Sequence, residues 1–548
     1  MQGLMMDVPL LISDLIRHAE RHHGTAEIVS KKVEDGALHR YTYRDAHRRA
    51  RALANAMKKL GVAMHDRVAT LAWNSFRHFE IYYAVAGSGA VIHTINPRLF
   101  PDQIAYIANH AEDRLVFFDV TFAPLVEKLA PGLKSVKHFV AMTDRATLEK
   151  LGLSGKVPNL VCYEDIVAGE SPEFGWPRFD ERTAACLCYT SGTTGNPKGA
   201  LYSHRSTILH AYAAALPDAL NVSARDVILP VVPMFHVNAW GMPYTCALTG
   251  AKLVFPGQHL DGRSLHQLFE TEEVTMSAGV PTVWLGLLNY MKEHKLRFTT
   301  LKRVVIGGSA CPPAMIRAFQ EDFGVEVLHA WGMTEMSPLG TVSTFKPKHL
   351  KQGKDQRYAV QNKQGRAIYG VDLRVVDENG AELPWDGAAI GDLHVRGPWV
   401  IQSYFKGEGG NPLQKDAGGA GWFPTGDVVN IDPEGYIQIT DRSKDVIKSG
   451  GEWISSIDLE NIAIAHPAIA EAAVIGVKHP KWDERPIVVA VKKPGQDVSR
   501  DELLKFYEGK VAKWWMPDDV VFVTELPHTA TGKLSKLTLR QQFKDYRF

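Results

Sequence analysis

No stretch of this 548-residue chain approaches the ~18–20 consecutive apolar residues of a membrane span. Cysteine is scarce: Cys162, Cys186, Cys188, Cys246 and Cys311 make five, an odd number with no CxxC pair. That excludes a disulfide framework and argues against a zinc site. Charge of one sign is lacking too. Lys plus Arg is 62 and Asp plus Glu is 61, so the formal net charge is 62 − 61 = +1. Nucleic acid or an anionic membrane would favour a basic excess, so neither is expected as a partner. The start, MQGLMMDVPLLISDLIRHAERHHG, has no basic segment before its apolar part, and Asp14 interrupts that part. It is therefore not read as a secretory signal. It reads as an amphipathic helix with Leu11, Leu15 and Ile16 inward, and a cytoplasmic location is expected. Internal repeats and low-complexity tracts are also missing.

What is present is an ordinary globular composition, 45% apolar and 22% charged. The length exceeds the about 100–200 residues of one domain, so two or more are expected. Apolar runs that end at polar or glycine stops recur: RVATLAW, RLVFFDV, KLVFPG, RVVIGGS and LHVRG. Helical stretches lie between them, such as Tyr43 to Leu60 and Asp102 to His110. Alternating strand and helix predicts α/β layers with mixed, largely parallel sheets flanked by helices. Cys186 and Cys188 flank Leu187 in one such run, and strand periodicity puts both thiols on one face. Near Asp441–Asp445 the strand GYIQITD gives way to the charged link DRSKD. A helix follows, which Ser455 or Ser456 can cap, with Glu460 in its first turns. About a hundred residues remain, with strands PIVVAVKK and VVFVTEL and a helix from Arg500 to Trp514. The expected organisation is a large N-terminal part of several subdomains, 1–441, a hinge at 442–446, and a small mobile α+β domain, 447–548.

The stretch YTSGTTGNPKG, residues 189–199, holds glycines, hydroxyls and one lysine. Glycines let backbone N–H groups approach an anion, hydroxyls add donors, and lysine adds charge. It is not a P-loop, because Lys198 sits between Pro197 and Gly199. Nor is it a dinucleotide turn, because Gly192, Gly195 and Gly199 miss the G-x-G-x-x-G spacing. Taken alone it also suits a surface loop rich in Ser, Thr and Gly. Further motifs follow in order: PMFHVNAWG with His236, VIGGSACPP, HAWGMTEMSP with Thr334–Glu335, GWFPTGDV with Asp427, GYIQITDRSKDVIKSGGEWISSIDLE, and LPHTATGKLSK with Lys533.

This ordered set resembles the adenylate-forming superfamily of acyl-CoA synthetases, luciferases and peptide-synthetase adenylation domains, over essentially the whole chain. The resemblance implies ATP as a substrate, held by Thr190, Ser191, Gly192, Thr193, Thr194, Gly195 and Lys198 at the β- and γ-phosphates. Gly308, Ser309 and Ala310, with Ala330, Trp331, Gly332, Met333 and Thr334, would surround adenine. Asp427 would accept the ribose hydroxyls, with Arg442 joining it. Glu335 and Thr190 are the Mg²⁺ candidates, since that ion takes carboxylate and phosphate oxygens. Lys533 would offset charge between carboxylate and α-phosphate, a positional and electrostatic role. Lys444 occupies the hinge position, and Lys448, Gly450, Gly451 and Trp453 would serve the second step on the coenzyme A side. His236 would gate or line the carboxylate site. Trp514 and Trp515, outside any motif, read as packing residues.

The implied activity is an AMP-forming acid–thiol ligase. A carboxylate attacks the α-phosphate, pyrophosphate leaves, and a thiol then takes the acyl group and releases AMP. Coenzyme A is the expected acceptor, because the chain stops at Phe548 without a carrier domain. FHVNAW contains no acidic residue for an α-amine, which disfavours amino acids. The pocket candidates Val232, Val237, Trp240, Gly241, Gly279, Val280, Gly307, Trp331, Met333 and Pro338 are nearly all apolar, so an apolar acid is expected. PVVPMFHVNAWGMPY and KSGGEWISSIDLEN resemble both medium- and long-chain fatty-acid ligases and bacterial 3-methylthiopropionate ligases. With Trp240 closed only short acids fit; with it swung aside a long chain enters. Long-chain and aryl acids are the alternative substrates. An acyl-AMP ligase loading a carrier protein, a luciferase-like oxygenase and a non-catalytic nucleotide binder are the alternative functions. By analogy with relatives a homodimer is expected.

Overall fold

In the computed structural model, local signals in the chain translate directly into elements. The structure describes residues 1, 3–190, 196–449, 452–528 and 534–547, with only the backbone of Glu452 and Trp453. Thr42 caps the helix Tyr43–Lys59 with a reciprocal bond to Asp45. The helix Pro101–Ala111 starts on proline and ends at Glu112 in the left-handed region. The first helix, Ile12–His23, turns Leu15 and Ile16 inward, with Leu11 buried just before it. The Ile12 amide donates to His204 Nδ1 at 3.1 Å and pins its start.

The chain divides into two compact units, the first comprising, among the described residues, those within 1–190, 196–371 and 397–411. One of its sheets runs Glu27–Lys31, Lys252–Phe255, Val227–Pro230, Met276–Gly279, Arg303–Ile306 and Glu326–Gly332 side by side and parallel. Leu38–Thr42 closes one edge and Leu339–Val342 with Gly365–Ala367 extend the other, all antiparallel. The second sheet orders Leu160–Cys162, His138–Ala141, Asp113–Phe118, Arg67–Leu71, Val91–Thr94 and Ala184–Tyr189 in parallel. Gly199–Ser203 is its antiparallel edge. Parallel strands buried on both faces read as apolar runs, which is why they were visible in sequence.

The helix Phe76–Gly87 touches strands of both sheets and is buried all round. Its charged residues are therefore paired: Arg77 with Glu34 at 2.9 Å, and Glu80 with Arg49 at 2.8 Å. The Cys186 and Cys188 thiols stand on one face of their strand, 3.7 Å apart, as period two requires. All five cysteines are buried.

Among the described residues, the second unit comprises those within 372–396 and 412–547. Asp372–Val376, Gly391–Arg396, Gly421–Ile431 and Tyr436–Arg442 form an antiparallel meander. Beyond it, the long pair Ile469–His479 and Asp483–Lys492 is joined in parallel by Asp519–Phe522. Alternation along the pair feeds two cores. Ala472, Val474, Val488 and Ala490 face the helices Ser456–Ile464 and Arg500–Tyr507, while Ala473, Ile475, Ile487 and Val489 face Lys536–Gln542. Ser455 caps the first of these helices through the Asp458 amide. The helix expected from Arg500 to Trp514 stops at Tyr507, because Glu508 is extended and Gly509 takes φ +73°. Trp515 packs on the core, whereas Trp514 is 43% exposed.

Candidate active site

In the first unit, Tyr189 pairs with Gly199 across the edge of the second sheet. The loop between them is closed at its base. The Thr190 amide donates to the Lys198 carbonyl at 2.9 Å, and the Lys198 amide donates to Thr190 Oγ1 at 3.2 Å. Ser191, Gly192, Thr193, Thr194 and Gly195 lie outside the described residues. The Lys198 ammonium lies 5.1 Å from the centre of the Tyr404 ring. A Cβ at Gly409, where φ is +76°, would come within 2.6 Å of that nitrogen. The Tyr404 hydroxyl donates to Glu335 Oε1 at 2.8 Å. One phenol thus bridges the loop lysine and the buried carboxylate of TEMSP. Burial, reinforced by Glu335, pushes Tyr404 far above the ordinary phenol range, so it stays a neutral donor. Tyr202 donates to the Thr334 carbonyl and steadies the same turn. Sequence reading missed Tyr404 and Tyr202; Tyr404 lies 69 positions from its partner, and no local pattern marks it.

The motif FHVNAWG adopts an unusual backbone. His236 stands half-buried at its start, and Val237, Asn238, Ala239 and Trp240 follow at φ 45°, 53°, 50° and 55°. Gly241 completes the turn at 77°. Left-handed backbone costs about 1–2 kcal/mol per non-glycine residue, so such a run needs support from its surroundings. Trp240 lies along the glycine pair after the strand Arg303–Ile306. A Cβ at Gly307 would stand 3.4 Å from Trp240 Cη2 and 2.8 Å from the Ala330 carbonyl oxygen. At Gly308, φ +81°, it would meet Val280 at 3.2 Å and Trp240 at 3.8 Å. Trp240, Val280, Gly307, Gly308 and Ala330 are therefore one cluster, with Ser309 and Ala310 exposed beyond it.

Other candidates sit around this cluster in specific ways. Gly279 faces the Trp284 indole, 2.9 Å from where its Cβ would be. Gly332 has no room for a side chain against the Pro338 carbonyl, which accepts from the Met333 amide at 3.1 Å. Trp331 packs on Gly340, and Val232 donates its amide to Ala278 O at 3.0 Å. His210 was not singled out in sequence. It fills the space beside Gly241, and its Nε2 accepts from the Leu339 amide at 3.1 Å. Burial pushes it down to about 4, so it works as a neutral acceptor. Arg98 was missed as well. Its guanidinium stands 5.7 Å from the Trp73 ring and 5.9 Å from Phe235, with no acidic partner among the described residues.

In the second unit, Asp427 and Arg442 face each other on adjacent strands. Arg442 Nε meets Asp427 Oδ1 at 2.8 Å; the carboxylate is buried and the guanidinium half-exposed. Thr425 Oγ1 accepts from the Asp427 amide at 3.1 Å and donates to Leu393 O at 2.9 Å, fixing that strand locally. The link that follows is held at both ends. Buried Asp441 accepts from the Ser456 amide at 2.7 Å, and Asp445 pairs with Arg540. Ser443 and Lys444 between them are exposed to solvent as whole residues, while desolvation of its ammonium end lowers Lys444 below the ordinary lysine range. The Lys448 amide donates to Glu484 Oε2 at 3.1 Å, and its side chain is exposed. Gly450, Gly451 and Lys533 lie outside the described residues, as does the side chain of Trp453. The flanks of Lys533 are tied together: His528 bridges Leu534, and the Ser535 amide donates to Pro527 O at 2.8 Å.

Among the described residues no three His, Cys, Asp or Glu side chains cluster as a metal cage, and no helix is long and apolar enough to cross a membrane. The buried Glu335 carboxylate, linked through Tyr404 to Lys198, suits Mg²⁺, which takes one or two carboxylates and relies on phosphate oxygens for the rest.

Residues 15–405 match the family described as AMP-binding enzyme, and residues 458–533 match the AMP-binding enzyme C-terminal domain. A protein of Ruegeria lacuscaerulensis named 3-methylmercaptopropionyl-CoA ligase is 54% identical over 545 residues, covering 100% of this chain and 99% of its own. A medium-chain-fatty-acid–CoA ligase of Ectopseudomonas oleovorans is 50% identical over 545 residues, with coverage of 100% and 98%. The crystal structure of an anthranilate CoA ligase in complex with anthranoyl-AMP superposes with a TM-score of 0.84 at 24% identity, over 98% of each chain. That likeness concerns the fold.

Proposed function

This chain belongs to the AMP-binding enzyme family, and from that premise we propose that it is an ATP-dependent carboxylate–CoA ligase for a short or medium apolar acid, 3-methylthiopropionate included. In the first half-reaction the carboxylate oxygen bonds to the α-phosphorus and the bond to pyrophosphate breaks. In the second, the CoA thiolate bonds to the acyl carbon and AMP leaves with the mixed-anhydride oxygen. No general base is needed for the first step, since the carboxylate is ionised at pH 7. The CoA thiol must react as thiolate.

The roles assigned to this chain's residues follow from charge and shape. Thr190 to Lys198 would hold the β- and γ-phosphates, with the ammonium of Lys198 pre-set over Tyr404. Glu335, oriented by Tyr404, and Thr190 would hold Mg²⁺, which when bound supplies charge neutralisation at the phosphates. Gly308 to Ala310 and Ala330 to Thr334 would flank adenine. Asp427 would accept the ribose hydroxyls beside Arg442, and Lys533 would neutralise the α-phosphate and the acid. His236 would line the carboxylate site, and Arg98 offers a cation to an anionic group of a substrate. Residues 442–446, with Lys444, are the proposed hinge. Lys448, Gly450, Gly451 and Trp453 would act in thioester formation. A cytoplasmic homodimer is the proposed form.

One observation carries the substrate size. The Trp240 ring lies against Gly307 and Gly308, filling space into which a longer acyl chain would extend. Trp240→Ala is expected to raise kcat/KM for long straight-chain acids about tenfold or more relative to short ones, because each methylene admitted is worth about 1–3 kcal/mol. Unchanged length preference would remove Trp240 from the pocket.

The activity itself is tested by pyrophosphate release from ATP with a ladder of straight-chain acids, 3-methylthiopropionate and aryl acids, with and without CoA. Release with thioester formation is expected for the short apolar acids. Release without thioester would favour carrier loading, and no acid-dependent release would sink the ligase reading.

A further inference from the structure

The segment Pro230 to Gly241 carries the acyl-side motif, yet much of its support comes from elsewhere in the first unit. Asn74 is buried just before the helix Phe76–Gly87. Its Nδ2 donates to Pro230 O at 2.8 Å and Val232 O at 2.9 Å, and its Oδ1 accepts from the Met234 amide at 2.6 Å. Eight residues along the same helix, the fully buried Tyr82 donates its hydroxyl to Met234 O and lies 3.2 Å from Asn238 Oδ1. Asn238 is the polar residue in the left-handed run, and asparagine tolerates that region better than its neighbours do. Its carboxamide sits at the two buried thiols, with Oδ1 3.3 Å from Cys186 Sγ and 3.6 Å from Cys188 Sγ, and Nδ2 3.1 Å from Cys186 Sγ.

The consequence is mechanical. Backbone that L residues disfavour persists only where the surroundings over-determine it. Here the surroundings include the Asn74 carboxamide on the residues leading into the turn, the Tyr82 phenol and two thiols at Asn238, and His210 beside Gly241. None of these contacts is made by Trp240, whose ring lies against Gly307 and Gly308. We propose that Asn74, Tyr82 and Asn238 are positioning residues that hold residues 236–241 in their left-handed form and so fix where Trp240 limits the acid. The inference rests on the reading of Trp240 as an acyl-pocket residue.

Tyr82→Phe keeps the ring and removes the donor. Asn238→Gly keeps the backbone conformation at little steric cost and removes the carboxamide. Both are expected to raise the KM for the preferred acid about three- to tenfold, the scale of one or two lost buried hydrogen bonds. Both should also flatten the chain-length profile, while the KM for ATP stays within about twofold. A purely structural role would lower Tm and leave acid KM and length profile unchanged. That result in folded Asn238→Gly overturns the proposal, even if Tyr82→Phe proves too unstable to assay. The wild-type enzyme runs alongside: if it shows no acid-dependent pyrophosphate release, the ligase reading fails, which is a different result from active variants with an unaltered profile.

Discussion

Lys533→Ala is expected to slow acyl-adenylate formation by about a hundred- to a thousandfold, the usual cost of removing one charge-stabilising donor from a reacting centre. Thioester formation from supplied acyl-adenylate should stay within about threefold of wild type, because only the first step drives a carboxylate onto the α-phosphate. A carboxylate and an α-phosphate about 4 Å apart repel by about 4 kcal/mol at an effective dielectric of 20, which sets the scale of what an ammonium between them can offset. Arginine should restore only part of the rate, since a compact point charge and a planar fork do not occupy the same position. The fold should tolerate the change: the segment's ends are tied by the His528–Leu534 bridge and the Ser535 to Pro527 bond, and Ser535 caps the helix Lys536–Gln542. Acid-dependent ATP–pyrophosphate exchange reads the first step and thioester formation from synthetic acyl-adenylate reads the second. Equal loss in both would show that Lys533 is not confined to adenylation.

Asp427→Asn should raise the KM for ATP by about a hundredfold and leave the KM for the acid nearly unchanged. A carboxylate accepts from both ribose hydroxyls, whereas a carboxamide presents one oxygen and one donor; each charge-assisted bond lost is worth about 1.5–3 kcal/mol. The effect on stability should be small by comparison. Asp427 is buried, but its partner Arg442 is half-exposed across the 2.8 Å contact, so solvent screening keeps the pair near the weak end for ion pairs. Titration of ATP at saturating acid, with a thermal melt alongside, separates the two effects. A large loss of Tm with unchanged KM for ATP would make Asp427 a structural residue only.

Much of the architecture was legible locally. Parallel strands buried on both faces must be apolar runs, so RVATL, RLVFF, KLVF and RVVI stood out and formed strands. Caps are read within four residues, so two adjacent serines announced the helix after the link, and Ser455 is the one that caps it. The failure at Arg500–Trp514 was also local. The helical pattern ran on in sequence past Gly509, whose left-handed backbone ends the helix.

The candidate site divides along the same line. By itself the sequence determined the ordered motifs, among them the loop bearing Lys198, the turn bearing Glu335 and the stretch bearing Asp427, because each is a short segment whose chemistry and backbone freedom are set by its own residues. Only the tertiary structure decided that Tyr404 bridges Lys198 and Glu335, that Arg442 pairs with Asp427, that Asn74 and Tyr82 bond to the segment 230–238, and that 372–396 belongs with the second unit. The Tyr404–Glu335 and Asn74–Met234 contacts join residues 69 and 160 positions apart. No local periodicity encodes such a contact; it arises when burial brings two elements together and their polar groups must be satisfied by each other rather than by water.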